Sequence, residues 1–242
     1  REQGIQFYVM QCYDKHSIYP EQYMDYVNQY GDRSKADQLQ QSLHEHTDVR
    51  VVPTKTYLMQ EKEKRKVYSN WGDPTHWNEW GALTGYQALM DTINENSAIQ
   101  YKVLKEEEYR KFDIDYGKTL NGIIHRVDVV EAFDLMDIRA IPQDQIEVLG
   151  RFAQDTRHKI FLNPEVKNDT KTLLLSDSYI DSYILDDIAE SFSETAMVWS
   201  DNINSLDELI DLYQPDIVIF EFGERRDRSY CLSELSNKLR ER

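Results

Sequence analysis

The chain has 242 residues, of which 44 are acidic and 28 basic, so its formal net charge is −16. Hydrophobic residues at 40% and aromatic residues at 12% are typical of a globular domain and exclude general disorder. The acidic balance argues against DNA or RNA as partners, because phosphate contacts need clustered Lys and Arg, and the basic clusters at 61–66 and 224–228 are interleaved with acids. The length fits one α/β domain, which we expect to span residues 1–242.

The sequence shows no segment for crossing a membrane or for secretion. No stretch approaches 18 consecutive apolar residues, and residues 1–7 lack the basic-then-apolar pattern of a signal peptide, so we expect a soluble chain. It begins without Met, directly before the apolar run at 5–10, and we expect a piece of a longer protein. Cys12 and Cys231 show no metal-ligand spacing, so we expect no structural zinc, and we favour buried thiols over a disulfide.

Short apolar runs alternate along the chain with amphipathic helical patterns. Strands are predicted at 5–10, 49–53, 172–175, 196–199 and 217–222. Helices are predicted at 34–46, 77–93, 180–192 and 203–213. This alternation is typical of right-handed βαβ units, so we predict an α/β fold with a mainly parallel sheet and helices on both faces. Residues 101–171 are predicted to be an irregular insertion, with a candidate strand at 123–130.

The strand at 172–175 ends at Ser176, Asp177 and Ser178, directly before a predicted helix. Function in a parallel sheet lies beyond the carboxyl ends of the strands. A serine there sits at a helix N-terminus, where unpaired backbone N–H groups favour a developing oxyanion. The alternative is that one of these residues only caps the helix, and spacing alone favours that alternative.

A second junction, at 72–81, precedes the predicted helix at 77–93. Asp73 and His76 are three residues apart on a turn, so the carboxylate can hold the imidazole in one tautomer. Alternatively, Asp73 caps the helix, Pro74 is its first residue, and His76 has no role. Together the two junctions supply Asp, His and Ser at the ends of different elements, which is the set that nucleophilic acyl transfer uses.

Four stretches, in order along the chain, resemble the alginate O-acetyltransferase (AlgJ/AlgX-like) family, a branch of the SGNH hydrolases. Residues 14–20 resemble its Asp-Lys-x-x-x-Tyr-Pro motif, and residues 73–89 resemble its Asp/His-Trp signature. Residues 174–179 resemble its Gly-Asp-Ser-Phe nucleophile block, with Ser176 in place of the glycine, and residues 215–225 resemble its last strand. The resemblance implies a three-layer, flavodoxin-like SGNH-hydrolase fold and the catalytic domain of a cell-surface polysaccharide O-acetyltransferase.

The resemblance implies that Ser178 is the nucleophile, His76 the general base and Asp73 the orienting acid. The implied reaction moves an acetyl group onto Ser178 and then onto a polysaccharide hydroxyl, and it implies neither a cofactor nor a metal. The backbone N–H of Ser178 is the expected oxyanion donor, with Asn202 or Arg225 as the candidate second donor.

Four other residues are assigned more loosely. Trp77 and Tyr179 flank the expected catalytic residues and are candidates for stacking on a sugar ring, although core packing is the favoured role for Trp77. Lys15 and Tyr19 are expected to be structural or to lie at the rim of the site.

Relatives in this family work outside the cytoplasm, beside a membrane-bound O-acyltransferase that supplies acetyl groups. The resemblance therefore implies an extracytoplasmic protein, at the cell surface or in the periplasm, tethered through a segment absent from this chain. Two alternatives stay open. The same residues can serve a carbohydrate acetyl esterase with water as the acceptor, or the domain can be a non-catalytic module that binds polysaccharide or a partner, as Ser176 in place of glycine suggests.

Overall fold

The structure is a computed structural model, and it describes residues 4–23, 34–70, 73, 75–120, 123–144 and 146–228. Side chains are described for all of these except 115–120, 123–128, 227 and 228. Cys12 is a free, buried thiol, and burial raises its pKa well above the usual range. Cys231, the other cysteine of the sequence, lies outside the described residues.

Strands occupy the apolar runs that the sequence predicts, and further strands lie in the middle of the chain. The strands are β1 (Gln6–Cys12), β2 (Arg50–Val51), β3 (Tyr109–Leu120), β4 (Ile123–Leu135), β5 (Ile141–Pro142), β6 (Lys159–Leu162), β7 (Lys171–Ser176), β8 (Glu194–Trp199) and β9 (Ile217–Gly223). The helices are α1 (Lys15–Ile18), α2 (Lys35–His46), α3 (Thr54–Glu61), α4 (Glu79–Glu95), α5 (Ser178–Asp181), α6 (Leu185–Ala189) and α7 (Leu206–Tyr213). Among the described helices, none is long and apolar enough to cross a bilayer.

Seven of the strands form one sheet in the order β2-β1-β9-β7-β8-β6-β5. Strands β2, β1, β9, β7 and β8 pair in parallel, whereas β6 pairs antiparallel with β8, and β5 pairs antiparallel with β6. The predicted α/β fold with a mainly parallel sheet is therefore confirmed. Because β1, β9 and β7 are neighbours, their carboxyl ends lie side by side at one edge.

Both faces of the sheet are buried, as continuous apolar strands require. Along β7, Leu174 points into one core with Tyr8 of β1 and the apolar face of α4, while Leu173 and Leu175 point into the other. The second core is closed by α7 through Leu209. Successive strand residues face opposite sides, so three consecutive leucines in β7 need helices on both faces.

The middle of the chain is more regular than the sequence analysis predicts. Strands β3 and β4 pair antiparallel as a long two-stranded ribbon, which includes the predicted strand at 123–130. The ribbon packs against α4, where the Phe133 ring contacts the Trp80 ring edge-on, with 4.4 Å between the ring centroids. In β3, Phe112 and Ile114 alternate with Asp113 and Asp115, a period of two residues that is typical of a strand.

Two predicted helices are shorter in the structure. The stretch predicted as one helix at 180–192 is divided into α5 and α6, and α7 begins at Leu206 after a 3₁₀ turn over 200–205. By contrast, α2 begins where predicted, because Ser34 and Asp37 form a reciprocal capping box at its N-terminus. Local capping chemistry thus sets the start of α2.

Candidate active site

Polar residues follow each of the three neighbouring strands β1, β9 and β7 at the carboxyl edge of the sheet. Asp14 comes two residues after β1, Glu224 and Arg225 follow β9, and Asp177 and Ser178 follow β7. The loop that leads into α4 brings Asp73 and His76 to the same edge, where His76 meets Ser178. The two junctions that the sequence analysis singles out are therefore adjacent in space.

Asp73, His76 and Ser178 form one continuous chain of contacts. Ser178 Oγ lies 2.7 Å from His76 Nε2, and Asp73 Oδ2 lies 2.6 Å from His76 Nδ1. A carboxylate can only accept, so Nδ1 carries the imidazole proton and Nε2 offers its lone pair to the serine hydroxyl. This arrangement lets His76 accept a proton from Ser178.

The Asp73 carboxylate is held in its ionised form. Its burial raises the pKa, but donated hydrogen bonds outweigh burial and lower the pKa to about 2. Asp73 Oδ1 accepts from the Thr75 N–H at 2.8 Å, from the Thr75 hydroxyl at 2.7 Å and from the His76 N–H at 3.1 Å. The carboxylate therefore stays charged at neutral pH and cannot compete for the His76 proton.

Hydrogen bonds of Asp177 and Glu221 fix the turn that carries Ser178. Asp177 Oδ1 accepts from the Tyr179 N–H at 3.0 Å, and Oδ2 accepts from the Gly223 N–H at 3.1 Å. The Asp177 N–H donates to Glu221 Oε2 at 2.9 Å, deep in the core. Burial, reinforced by the nearby Asp177 charge, raises the pKa of Glu221 well above its usual range. Asp177 is thus the helix cap, which leaves Ser178 as the serine that faces His76.

Ser176 has a different position from Ser178. It is fully buried at the end of β7, whereas Ser178 is only partly buried. Its backbone is not in the left-handed region, so this position does not need the conformational freedom of glycine. The replacement of glycine by Ser176 therefore imposes no left-handed backbone strain on the turn.

Trp77 and Tyr179, the two candidates for sugar stacking, lie in the core. Trp77 is 1% exposed and Tyr179 is 0% exposed, so neither ring offers a face to a polysaccharide in this structure. Trp77 packs against α4 so closely that a Cβ at Gly85 would lie 2.6 Å from its ring. The expectation of stacking is corrected on this ground, and the favoured core role of Trp77 agrees with its burial.

The Tyr179 hydroxyl organises the back of the site. It lies 2.6 Å from the Thr75 carbonyl, 2.8 Å from Asp14 Oδ1 and 2.9 Å from the Tyr13 carbonyl. One hydroxyl proton serves one acceptor at a time, so these groups share it. Because Thr75 precedes His76, this cluster ties the histidine loop to β1 and to the helix that carries Ser178.

The two candidate second donors differ in position. Asn202 lies in the 3₁₀ turn after β8, where its Nδ2 donates to the Trp199 carbonyl at 3.0 Å. Among the described residues, no hydrogen bond links Asn202 to Asp73, His76 or Ser178. Arg225, in contrast, reaches the site, with its Nη2 lying 2.9 Å from His76 Nε2.

Lys15 and Tyr19 both have structural contacts. Lys15 is buried and its Nζ lies 3.4 Å from the Asn70 carbonyl, whereas the Tyr19 hydroxyl accepts from the Val67 N–H at 3.1 Å. Both contacts tie the segment after β1 to residues 67–70, which lie shortly before Asp73. Their structural assignment agrees with these positions.

Several further residues of the site have no role predicted from the sequence. Three of them, Asp14, Glu221 and Glu224, are acids buried in or just after β1 and β9. A fourth, Tyr183, stacks on the His76 ring, with 6.0 Å between the ring centroids and 29° between the ring planes. A usable signal is present, because Glu221 interrupts the otherwise apolar strand β9. An acid in the middle of a buried strand needs a specific partner, and that partner is the turn before Ser178.

Asp14, His16 and Glu224 form a group with the ligand types of a cation site, with donor atoms within 4.8 Å of one another. Three of the four carboxylate oxygens accept hydrogen bonds within the protein, however. Glu224 Oε2 accepts from the Asp14 N–H at 3.0 Å, Glu224 Oε1 accepts from the Ser17 hydroxyl at 2.7 Å, and Asp14 Oδ1 accepts from Arg225 at 2.9 Å. The guanidinium beside Asp14 repels a cation, so this group serves the architecture of the site.

Comparison with known families decides the broad assignment. Residues 1–128, more than half of the chain, match the family described as the SGNH hydrolase-like domain of acetyltransferase AlgX. The chain belongs to this acetyltransferase family. The AlgX-like family that the sequence motifs resemble is therefore confirmed. No curated protein sequence matches the chain significantly.

Solved structures share the fold of this AlgX-family domain. PatB1 from Bacillus cereus, solved with a sulfonyl adduct, has a TM-score of 0.70 at 18% identity over 93% of this chain and 83% of that chain. A DHHW family protein from Eubacterium siraeum has a TM-score of 0.66 at 15% identity, and the match covers 98% of this chain and 84% of that chain. The O-acetyltransferase domain of Pseudomonas putida AlgJ has a TM-score of 0.55 at 17% identity, and the match covers 96% of this chain and 80% of that chain. At these identities the similarity shows a common fold.

Proposed function

We propose that this AlgX-family domain is an O-acetyltransferase that moves acetyl groups onto polysaccharide hydroxyls through an acetyl-Ser178 intermediate. The observation that carries the proposal is the chain from Asp73 through His76 to Ser178, with contacts of 2.6 and 2.7 Å at the carboxyl edge of the sheet. Family membership supplies the acyl chemistry, and this geometry supplies a nucleophile with a base beside it.

The first half-reaction acetylates the serine. His76 Nε2 takes the proton of the Ser178 hydroxyl while Oγ bonds to the acetyl carbon of an ester donor, and the carbonyl electrons move onto oxygen. The tetrahedral intermediate then collapses, the bond from carbon to the leaving oxygen breaks, and His76 returns its proton to that oxygen. Asp73, which stays ionised, stabilises the imidazolium between these two events.

The second half-reaction repeats these steps with a sugar hydroxyl as the nucleophile. His76 takes the hydroxyl proton, the sugar oxygen bonds to the acetyl carbon, and Ser178 Oγ leaves with the proton that His76 returns. In both halves the Ser178 N–H is the first oxyanion donor. Ser178 is the first residue of α5, so its N–H cannot be used within the helix.

Tyr183 is the aromatic side chain that we assign to the acceptor sugar. It lies five residues after Ser178, stacks on the His76 ring and keeps part of its surface exposed, unlike Trp77 and Tyr179. An aromatic face beside the general base can hold a sugar ring with one hydroxyl toward His76. This position takes over the stacking role that the sequence analysis gives to the two buried rings.

The family resemblance supports a proposal for the biological setting. We propose an extracytoplasmic domain, tethered to the membrane, that receives acetyl groups through a membrane-bound O-acyltransferase and passes them to a polysaccharide. The single-domain organisation over residues 1–242 belongs to the same proposal. The net charge of −16 favours an acceptor that is itself neutral or weakly charged.

An acetyl esterase is the second candidate, because Ser178 is partly exposed and water can reach it. The non-catalytic module is favoured less, since the backbone at Ser176 does not need the conformational freedom of glycine.

Turnover of a small acetyl ester, measured with and without oligosaccharides, separates the two enzymes. We expect slow hydrolysis alone, and faster leaving-group release with an acetylated glycan as product when a suitable acceptor is present. Rapid hydrolysis that no surface glycan changes would assign the domain as an esterase.

A further inference from the structure

Arg225 contacts the same His76 nitrogen that faces the nucleophile. Its Nη2 lies 2.9 Å from His76 Nε2, and Ser178 Oγ lies 2.7 Å from that nitrogen. Its other terminal nitrogen, Nη1, donates to Asp14 Oδ1 at 2.9 Å and to the Tyr179 hydroxyl at 3.3 Å. Arg225 is therefore anchored by Asp14 through one nitrogen and reaches the reacting groups with the other.

The two contacts at His76 Nε2 compete for one lone pair. An arginine side chain is always charged and only donates, and a neutral imidazole nitrogen has a single lone pair in the ring plane. Either the Arg225 N–H or the Ser178 hydroxyl can use that lone pair at a given moment. Both contacts also require the His76 tautomer with its proton on Nδ1, toward Asp73, which the 2.6 Å contact supports.

The contact between Arg225 and His76 must break when the reaction begins. Once His76 Nε2 takes the serine proton, two N–H donors and two positive charges face each other across the same short distance. Negative charge develops on the acetyl carbonyl oxygen at that same moment. A guanidinium N–H released from His76 thus becomes available when the new oxyanion needs a donor.

We propose that Arg225 transfers its Nη2–H hydrogen bond from His76 to the acetyl oxygen during acyl transfer, and that it completes the oxyanion hole with the Ser178 N–H. This inference rests on the proposed function, because it needs Ser178 to carry the acetyl group. The Nη1 contact with Asp14 keeps the guanidinium in place while Nη2 changes partner. Asp14 and Tyr179 are positioning residues in this scheme.

The scheme also gives a role to two sequence motifs that lie at opposite ends of the chain. Asp14 belongs to the segment after β1, and Arg225 belongs to the segment after β9, more than 200 residues later. The two strands are neighbours in the sheet, so their ends meet beside His76.

Arg225→Met tests the kinetic consequence, because methionine keeps much of the side-chain length but has no N–H groups. We expect the rate of Ser178 acetylation by a small acetyl ester to fall by about 10²–10³-fold, the usual effect of losing one oxyanion donor, with little change in KM. Asp14→Asn, which weakens the anchor, should cause a smaller loss. Arg151→Met is the matched control, because Arg151 pairs with Glu208 on the surface. In this variant Ser178 should be acetylated at the same rate as in the unaltered protein.

The structure of the unaltered protein after reaction of Ser178 with a sulfonyl fluoride tests the movement itself. We expect Arg225 Nη2 to hydrogen-bond a sulfonyl oxygen and to have left His76 Nε2. Nitrogen NMR of neutral His76 in Arg225→Met should still show the proton on Nδ1. This result would show that the slower reaction comes from the lost Arg225 donor and not from a changed tautomer of His76.

Two results would overturn the inference about Arg225. One is an adduct in which Arg225 stays on His76, and the other is an Arg225→Met variant that acetylates Ser178 as fast as Arg151→Met. Failure of the proposed function has a different signature, since the unaltered protein would then show no acetyl group on Ser178 at all.

Discussion

The carboxyl edge of the sheet and the β3–β4 ribbon differ in what they bury. At the sheet edge, charged side chains are inside, with Glu221 at 0% and Asp177 at 1% exposure, and both hold the turn before Ser178. In the ribbon, some apolar side chains are exposed, with Phe112 at 39% and Val129 at 58% exposure, whereas Val130 and Ala132 are buried. Burying a carboxyl group is costly unless it has partners. The buried carboxyl groups of this edge have such partners, and they fix the position of the reacting Ser178.

The reacting groups at the sheet edge should matter greatly for turnover and little for stability. Ser178→Ala and His76→Ala should each lower turnover of an acetyl ester by at least about 10³-fold, because each removes a member of one catalytic unit. Thermal unfolding should stay nearly unchanged, since both side chains are partly exposed. Ser176→Ala is the control and should keep its activity. Activity lost in the control and kept in Ser178→Ala would reassign the nucleophile.

A second change affects the support beneath the nucleophile. In Gly223→Ala the new Cβ would lie 2.8 Å from the Tyr179 ring, which cannot move freely because its hydroxyl is held by Asp14 and Thr75. We expect unfolding free energy to fall by about 1–3 kcal/mol and acetyl-ester turnover to fall with it. Denaturant unfolding and steady-state kinetics measure the two effects.

The ribbon provides the matched control for Gly223→Ala. Val129→Ser exchanges an exposed side chain of the ribbon and should change the unfolding free energy by less than about 0.5 kcal/mol. Equal losses in the two variants would remove the distinction between the regions.

A third prediction concerns Asp187 in α6, at the boundary between the regions. Burial, with the charges of Asp186 and Glu190, raises its pKa from 3.8 to about 7. Between these pH values the folded protein holds a proton that the unfolded chain releases, so this residue lowers stability as pH rises, by up to about 1.4 kcal/mol per pH unit. Asp187→Asn should therefore gain stability relative to the unaltered protein between pH 5 and 7. A difference in unfolding free energy that is constant over this range would refute the assignment.

Sequence patterns predict the parallel strands because each is a local apolar run that must be buried. The run at 217–222 becomes β9, and the run at 172–175 becomes β7. The junctions at Asp73 and Ser178 can be found in the same way, since both are polar breaks next to an apolar element. Their proximity depends on the strand order, which a local pattern does not contain.

The remaining features depend on contacts between distant parts of the chain. Arg225 reaches His76 only because β9 lies between β1 and β7 in the sheet. The burial of Trp77 and Tyr179 is also a tertiary property, because an aromatic residue next to a catalytic one can face either the core or the solvent. The ribbon is the exception, since the alternation in β3 is visible in the sequence.

The proposed mechanism depends on an acetyl group carried by Ser178. Mass spectrometry can detect this group in protein that is quenched during turnover of an acetyl ester and then digested. We predict one added acetyl group on the peptide that contains Ser178, and no added group on that peptide in Ser178→Ala. An unmodified Ser178 peptide during active turnover, or an acetyl group that persists on this peptide in Ser178→Ala, would rule out Ser178 as the nucleophile.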